Sequence, residues 1–396
     1  SGALVVTFTI ATPATGAATK AAPAAKSVSP QEVNGFIAID DRGLVTVYSG
    51  KVDLGTGIQT AMAQIAAEEL CVPFDRVTVI QGDTALTPDQ GTTWGSLSIQ
   101  IGGMQIRQAC ATAREALLAQ GAQKLGVDKT RVHARDGAVV MLGSERAVPY
   151  AKLVGGQTLE MKVDAKAPTK NPAQYTVVGK PVPRVDIPAK VTGRFTYMQD
   201  YKRKGMLHAR VVRPAAMHAT LVSYDDSAAR RIPDYVATVR KGSFLAAVAK
   251  SEWGAIRCAD AIKAQWSDWQ GLPDKAKLWE HVRNTKTVSE EVLQNVGDTK
   301  KAVGARTLSA TYDFAVHTHG SMGPSCAVAE VSGGKLTVWT ASQATHLLRK
   351  QLANMLSMKP DDVRCVYIEG SGCYGRNGHE DAAADAALLA KELGKP

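Results

Sequence analysis

The feature that most constrains this chain is a turn written three times. "LCVPFDRV" (70–77), "LGVDKTRV" (125–132) and "LSMKPDDV" (356–363) each close a stretch of helical spacing on Leu, place Val or Met two residues later, and reopen on Val seven residues after the Leu. Polar residues or Pro fill the gap, so each copy reads as a helix–turn–strand connection. The intervals between copies are irregular, which argues against a solenoid. Around them, 43–50, 205–214, 235–244, 304–319, 333–343 and 363–370 have strand character, while 58–70, 251–266, 345–356 and 380–394 have helical spacing. Strands and helices mixed without strict alternation predict an α+β fold built from mixed sheets with helices.

Composition narrows the function classes. With 396 residues, 45% hydrophobic and 21% charged, the chain is long enough for two or three units with real cores, and disordered or collagen-like classes are excluded. The formal charge is +10, yet the basic residues are dispersed in short runs, pairs such as Arg230-Arg231 and Lys300-Lys301 among them, with no aromatic-interleaved stripe. A solvated basic surface, and no nucleic-acid partner, is the expectation. Cys71, Cys110, Cys258, Cys326, Cys365 and Cys373 form no C-x-x-C or C-x-x-C-H arrangement, so iron–sulfur, haem and zinc sites carried by this chain are not expected. The start, "SGALVVTFTIATPATGAATKAAPAAK", has an apolar run too short to span a membrane, followed by an Ala/Thr/Pro-rich tract. It reads as the remnant of an export signal with a linker, further residues being expected upstream. A periplasmic location follows, with a cytoplasmic one as the alternative.

Glycine loops come next. "GSGCYGRNG" (370–378) satisfies G-x-G-x-x-G through Gly370, Gly372 and Gly375, between a strand and a helix. A dinucleotide fingerprint also needs a second strand ending in an acidic residue about twenty residues on. Only Glu392 lies near that distance, and it belongs to the helical stretch, so a Rossmann unit is not expected. A P-loop is excluded as well, because Arg376-Asn377 stands where Lys-Ser/Thr is required. What remains is a loop whose small residues let backbone N–H groups approach an anion or polar ligand, or a tight turn with no ligand. "DLGTG" (53–57) and "GTTWGSLSIQIGGMQIRQACATAREALL" (91–118) add two more loops rich in hydroxyls and N–H donors ahead of helices. Three such loops suit one large, multiply polar ligand.

Taken together, "GLVTVYSGKVDLGTGIQTAMAQIAAEEL", "VVGKPVPRVDIPAKVTGRFTYMQD" and "TVWTASQATHLLRKQLANMLSMKPDDVRCVYIEGSGCYGRNGHEDAAADAALLAKELGKP" resemble the molybdopterin-binding large subunits of the xanthine dehydrogenase and aldehyde oxidase family. The nearer likeness is to its isoquinoline oxidoreductase and nicotinate dehydrogenase branch, in which the segment order is permuted. The resemblance runs from about residue 32 to the end. It implies a molybdopterin-binding segment at 32–172 after a linker at 1–31, an aldehyde oxidase-like α+β domain at 173–310, and the first half of a molybdenum-cofactor domain at 311–396.

Residue by residue, the resemblance implies that Gln343 in "TASQ" contacts a terminal ligand of the metal. Gly372, Cys373 and Tyr374 fall on the family's Gly-Phe-Gly, with Gly375 and Arg376 following. Leu54, Gly55 and Thr56 fall on a Met-Gly-Gln that touches the pterin, and Gly95, Ser96, Leu97 and Ser98 on a loop of donors for the pterin and its phosphate. Read without the resemblance, Gln343 is a strand-end polar residue, Ser96 and Ser98 are caps for the following helix, and Cys373 is a buried core residue. The departures are Cys373-Tyr374 for Phe-Gly, Thr56 for Gln, and Gly323 for the glutamate that commonly follows the Met of "HTHGSMGPSC". His317 and His319 share one face of an alternating stretch and are read as surface or core residues, not metal ligands.

No Glu in the chain matches the family's catalytic base, and Glu380 and Glu392 are not assigned that role. No direct metal ligand is assigned either. A second polypeptide is expected to carry the other half of the molybdenum domain. The implied cofactor is molybdopterin cytosine dinucleotide, shared with that partner. Fe–S clusters and haem are expected only in partners, a [2Fe-2S] subunit and a cytochrome c. The implied reaction is hydroxylation of an aldehyde or N-heteroaromatic substrate, with water as oxygen source, a glutamate as base and two electrons leaving through the clusters. A non-catalytic binding or scaffold protein is the alternative from another class, followed by a nucleotide-binding oxidoreductase.

Overall fold

The computed structural model describes residues 26–396 apart from 156–157, 270, 299, 302–303 and 379–380, so most of the apolar start and Glu380 lie outside the described residues. The chain divides into two compact units, one made of residues up to Met206 together with His319–Pro396, the other of Leu207–Thr318.

The first unit opens with α1 (Val33–Phe36), β1 (Ile37–Ile39), β2 (Val45–Ser49), α2 (Ile58–Leu70) and β3 (Val77–Gln81). β1 runs antiparallel to β2, and β3 pairs parallel to β2, so α2 is the crossover that a parallel pair requires. The α2–β3 connection is the first of the three repeated turns. Cys71 takes the left-handed conformation at φ 52°, and Val72 N–H donates to Ala67 O at 3.0 Å. That is a Schellman cap, and it brings Val72 into the core beside Leu70. The second copy closes α3 (Met104–Leu125), with Gly126 at φ 69° and Val127 N–H on Ala122 O at 3.1 Å.

Along α3, Ile106, Ala109, Cys110, Ala113 and Leu117 recur at helical spacing and are all buried. One turn on, a Cβ at Gly121 would lie 2.4 Å from Val139, so helix and sheet touch there without a side chain between them. β4 (Val132–Arg135), β5 (Ala138–Met141) and β6 (Ala147–Pro149) form the antiparallel sheet facing that helix, followed by α4 (Tyr150–Val154) and α5 (Ile187–Val191).

The stretch 174–200 forms no strand and stays with the first unit. Buried charge is the physical reason. The Glu68 carboxylate, 1% exposed, accepts from the N–H groups of Thr176, Val177 and Val178 at 2.9, 2.6 and 3.0 Å and pairs with Lys170. Further on, Met198 N–H donates to Glu369 O at 2.9 Å. By compactness, the second unit begins at 207 and the first resumes at 319.

The second unit contains β7 (His208–Val211), β8 (Leu221–Asp225), β9 (Tyr235–Lys241), β10 (Phe244–Ala249), α6 (Glu252–Ala261), β11 (Lys263–Trp266) and α7 (Leu278–Asn284). Its sheet runs β7-β10-β9, with β11 and β8 paired separately, all antiparallel. Ser251 caps α6, its Oγ accepting from Gly254 N–H at 3.0 Å. The helical spacing read over 251–266 ends at Ala261, and "KAQW" turns out as a strand. The strand expected over 304–319 forms no ladder among the described residues.

Returning to the first unit, β12 (Ala327–Ser332), β13 (Lys335–Thr340), α8 (Thr345–Met355) and β14 (Val363–Tyr367) repeat the plan of β1, β2, α2 and β3, before α9 (Asp381–Leu393). β12 is antiparallel to β13 and β14 parallel to it. The third turn repeats the cap as well, with Ser357 at φ 52° and Met358 N–H on Ala353 O at 2.8 Å. The two ββαβ halves meet where β3 runs out, because Asp83 bridges Val366 antiparallel, Tyr367 N–H donates to Gly82 O at 3.1 Å, and Arg364 pairs with Asp83 at 2.5 Å. Only glycine suits position 82, where φ is +58° and a Cβ would lie 2.5 Å from Val52. All three glycine loops are thereby brought to the carboxyl ends of the two parallel pairs. Open α/β arrangements place ligand sites at such ends.

Candidate functional site

Thr93 is the hub of the junction. Its N–H donates to Gln343 O at 2.8 Å, its O accepts from Gln343 Nε2 at 2.7 Å, and its hydroxyl accepts from Val52 N–H at 3.1 Å. Those bonds tie the 91–98 loop to the loops after β13 and β2. The fourth segment joins through Gln343, whose N–H donates to Asn377 O at 2.9 Å and whose Oε1 accepts from the Cys373 thiol at 3.0 Å. Tyr367 OH donates to Asp53 O, and the Lys51 ammonium donates to Thr92 O at 2.7 Å. Burial lowers the Lys51 pKa, opposed by the nearby Asp89.

The residues singled out from the sequence are thus gathered in one place, in unequal states. Gln343 and Cys373 are buried, 4% and 3% exposed, and bonded to each other. Tyr374 is turned outward at 60% exposed, so the two replacements in the Gly-Phe-Gly position have separate environments. Leu54 and Leu97 are half-buried, Gly55, Thr56, Gly95, Ser96 and Gly375 exposed, and Ser98 buried. Gly55, Gly95, Gly372 and Gly375 take positive φ, as do Ser96 at 59° and Tyr374 at 55°. A non-glycine residue held there stores on the order of 1–2 kcal/mol, and such strain clusters at functional loops.

Three expectations change. The N–H groups of Gly55, Gly57 and Gln59 all donate to the Asp53 carboxylate at 2.9–3.0 Å, so the 53–57 loop and the N-terminus of α2 are already satisfied internally. Arg376, expected beside the cofactor, is engaged by Asp381 at 3.2 Å. Gly323 has a steric reason, since a Cβ there would lie 2.2 Å from Ser371 Oγ, and its N–H donates to Ser371 O at 2.9 Å. No glutamate fits at 323 unless Ser371 moves.

One element of the site escaped the sequence reading. Arg184 donates to Gly55 O at 3.0 Å and to both Asp186 oxygens, Lys190 pairs with Asp186 at 2.7 Å, and with Glu369 at 2.6 Å. The chain of charges clamps the loop after β2 to the residue that opens the loop after β14. Arg184 foremost holds the Asp186 carboxyl well below the usual range. Burial raises the Glu369 carboxyl, with Lys190 pulling the other way. Among the described residues no cluster of three or more metal-ligating side chains occurs, and His317 and His319 are exposed.

Comparison with known proteins places this geometry. A family described as "Molybdopterin cofactor-binding domain" matches residues 5–237, and a second family of the same description matches residues 281–396. The chain belongs to the molybdopterin cofactor-binding family. This molybdopterin-binding chain is 38% identical over 389 residues to one of the subunits of nicotinate dehydrogenase from Pseudomonas putida, covering 94% of the chain and 33% of that protein. It is 27% identical to a membrane-bound aldehyde dehydrogenase (pyrroloquinoline-quinone) of Gluconacetobacter polyoxogenes, covering 91% of the chain and 48% of that protein. To the beta chain of isoquinoline 1-oxidoreductase from Brevundimonas diminuta it is 25% identical, covering 96% and 55% respectively. The chain therefore spans about a third to just over a half of the length of these relatives.

The residues present fit a molybdenum–pterin group. Exposed, left-handed Gly95 and Ser96 precede a π turn (Ser98–Gly103) that runs straight into α3, and the start of that turn has no side-chain cap, which leaves N–H donors there for a phosphate. Gln343 Nε2 has one N–H beyond that given to Thr93, at the junction of all four segments. The fit is weakest at 53–57, where Asp53 has taken the donors.

Proposed function

We propose that this chain is the cofactor-cradling part of a molybdenum hydroxylase that oxidises an N-heteroaromatic ring or an aldehyde with water as oxygen source. The observation that carries the reading is the convergence of Thr93, Gln343 and Cys373 on one hydrogen-bonded point at the junction of the two ββαβ halves. When bound, the molybdenum–pterin group, proposed in its cytosine dinucleotide form, would supply hydroxylation of an electrophilic carbon and an outlet for two electrons.

The chain's own residues bind and orient. Gly95, Ser96, Leu97 and Ser98 hold the phosphate and pterin through backbone and hydroxyl donors, and Leu54, Gly55 and Thr56 pack along the pterin edge. Gln343 turns its remaining amide N–H to a terminal ligand of the metal, and Cys373 fixes that amide by donating to Oε1. The backbone of Gly372 and Gly375 allows close approach, and Tyr374 stands on the solvent side, where it restricts what reaches the metal. Placing these groups in advance is the protein's contribution to rate.

The base that takes a proton from the attacking water is assigned to the remaining length of the molybdenum protein. A [2Fe-2S] subunit and a cytochrome c are the proposed electron acceptors, and export to the periplasm, read from the apolar start, fits the second of these. Similarity to a nicotinate dehydrogenase, an aldehyde dehydrogenase and an isoquinoline oxidoreductase supports the substrate class. Incubation of the purified complex with nicotinate, isoquinoline and benzaldehyde in ¹⁸O-water tests it. Label in a hydroxylated or carboxylic product supports the reading, and product without label, or no turnover of any of the three, defeats it.

A further inference from the structure

Residues 306–318 form no helix, turn or bend, and no strand partner holds them among the described residues. Their pattern is that of a strand with one face made for burial. Leu308, Ala310, Tyr312, Phe314 and Val316 alternate with Ser309, Thr311, Asp313, Ala315 and His317. The four large members of the apolar face are 89, 80, 77 and 76% exposed in chain order. Each leaves apolar area in water that burial would remove. Single exposed apolar residues need no explanation, but four on one face of an unpaired strand do. The open backbone is a template for another strand.

We propose that 306–318 docks by strand addition onto a sheet edge of the remaining length of the molybdenum protein, whether that lies on the same polypeptide or on another. The inference rests on the reading of this chain as part of such a protein, and the length of its relatives supplies the occupant, since the chain spans 33–55% of them. A second copy of the segment is the competing occupant, and the test below separates the two. The complementary strand is apolar on the side that meets Tyr312 and Phe314, and neutral or basic opposite Asp313, whose present partner is Arg283 at 3.7 Å. Docking has a consequence for the cofactor loop. The segment runs directly into His319–Gly323, where Ser321 Oγ donates to Cys373 O at 3.1 Å and Gly323 N–H to Ser371 O. Anchoring the strand thus anchors the backbone that backs the glycine loop.

Hydrogen–deuterium exchange of the intact purified complex tests this, with metal content measured on the same sample. Amides 307–318 are expected to exchange about 100-fold or more slowly than an unstructured peptide, and to lose that protection in Phe314→Pro and Tyr312→Ser, while Ala315→Ser on the opposite face keeps it. Unprotected amides in a complex that holds molybdenum overturn the docking and leave the function standing. Protection without molybdenum supports the docking and removes the function. Protection in a complex that mass spectrometry shows to contain only copies of this chain, with no further length of the molybdenum protein, makes the occupant a second molecule and overturns the proposal.

Discussion

Replacing Lys190 by Met probes the charge chain that clamps the two cofactor loops. Lys190 is 13% exposed, between Asp186 at 2% and Glu369 at 11%. Asp186 keeps its two bonds to Arg184 in the variant, so the loss falls on Glu369. Removing one partner of a fully buried pair costs about 3–5 kcal/mol. With one carboxylate still paired and the other slightly exposed, about 2 kcal/mol is expected, or about 30-fold in the unfolding equilibrium. The pH dependence carries a definite sign. Burial already raises the Glu369 carboxyl above its ordinary value of 4.5, and loss of Lys190 raises it further. A carboxyl raised in the folded state penalises folding as pH rises past its unfolded value, so the variant's deficit is large at pH 8 and fades toward pH 4.5. Urea unfolding of the wild type, Lys190→Met and Lys190→Arg at several pH values measures it, with Lys190→Arg recovering most of the loss. A deficit below about 0.5 kcal/mol at pH 8, or one that does not change with pH, would refute the reasoning.

Lys26 is buried over the Tyr48 ring, 3.8 Å from its centre, and burial lowers its pKa to about 7 against the opposing pull of Asp83. The unfolded chain holds that proton up to 10.5, so stability should rise between pH 7 and 10.5, and Lys26→Met should flatten that rise in thermal melts. Gly121→Ala drives a methyl to 2.4 Å from the Val139 Cβ and should cost about 1–3 kcal/mol in urea unfolding. Cys373→Ala strips the donor from the buried Gln343 Oε1 and should cost about 1–2 kcal/mol, whereas Cys373→Ser keeps a donor and should cost less, as read by thermal unfolding of the intact protein.

Local chemistry was legible in the sequence, and long-range pairing was not. The three turns after Leu70, Leu125 and Leu356 could be read because a Schellman cap needs only a few neighbouring residues, and all three fold alike. Helix α2 has the bounds that its apolar spacing predicts, Ile58 to Leu70. The glycine loops were legible as loops, but Asp53 was not seen to occupy the N–H groups of its own loop. The signal was present, an Asp two residues before the first glycine of "DLGTG", in position to cap the helix that follows. Thr93 and the Arg184–Asp186–Lys190–Glu369 chain were missed because their partners lie far away in sequence, as Gln343 does from Thr93 and Glu369 from Lys190. The pattern over 306–318 was read as a strand from its alternation. It has no ladder among the described residues because a strand needs a neighbour, and alternation does not say where that neighbour comes from.

Molybdenum and pterin content of the intact, co-purified complex is the most direct test of the central claim, with mass spectrometry identifying every chain and Gln343→Ala and Ser96→Pro measured alongside. The account predicts close to one molybdenum and one pterin per copy of this chain in the wild type, with a clear loss of pterin in the loop variant. A folded complex with neither molybdenum nor pterin, or one whose content is the same in both variants as in the wild type, would contradict it.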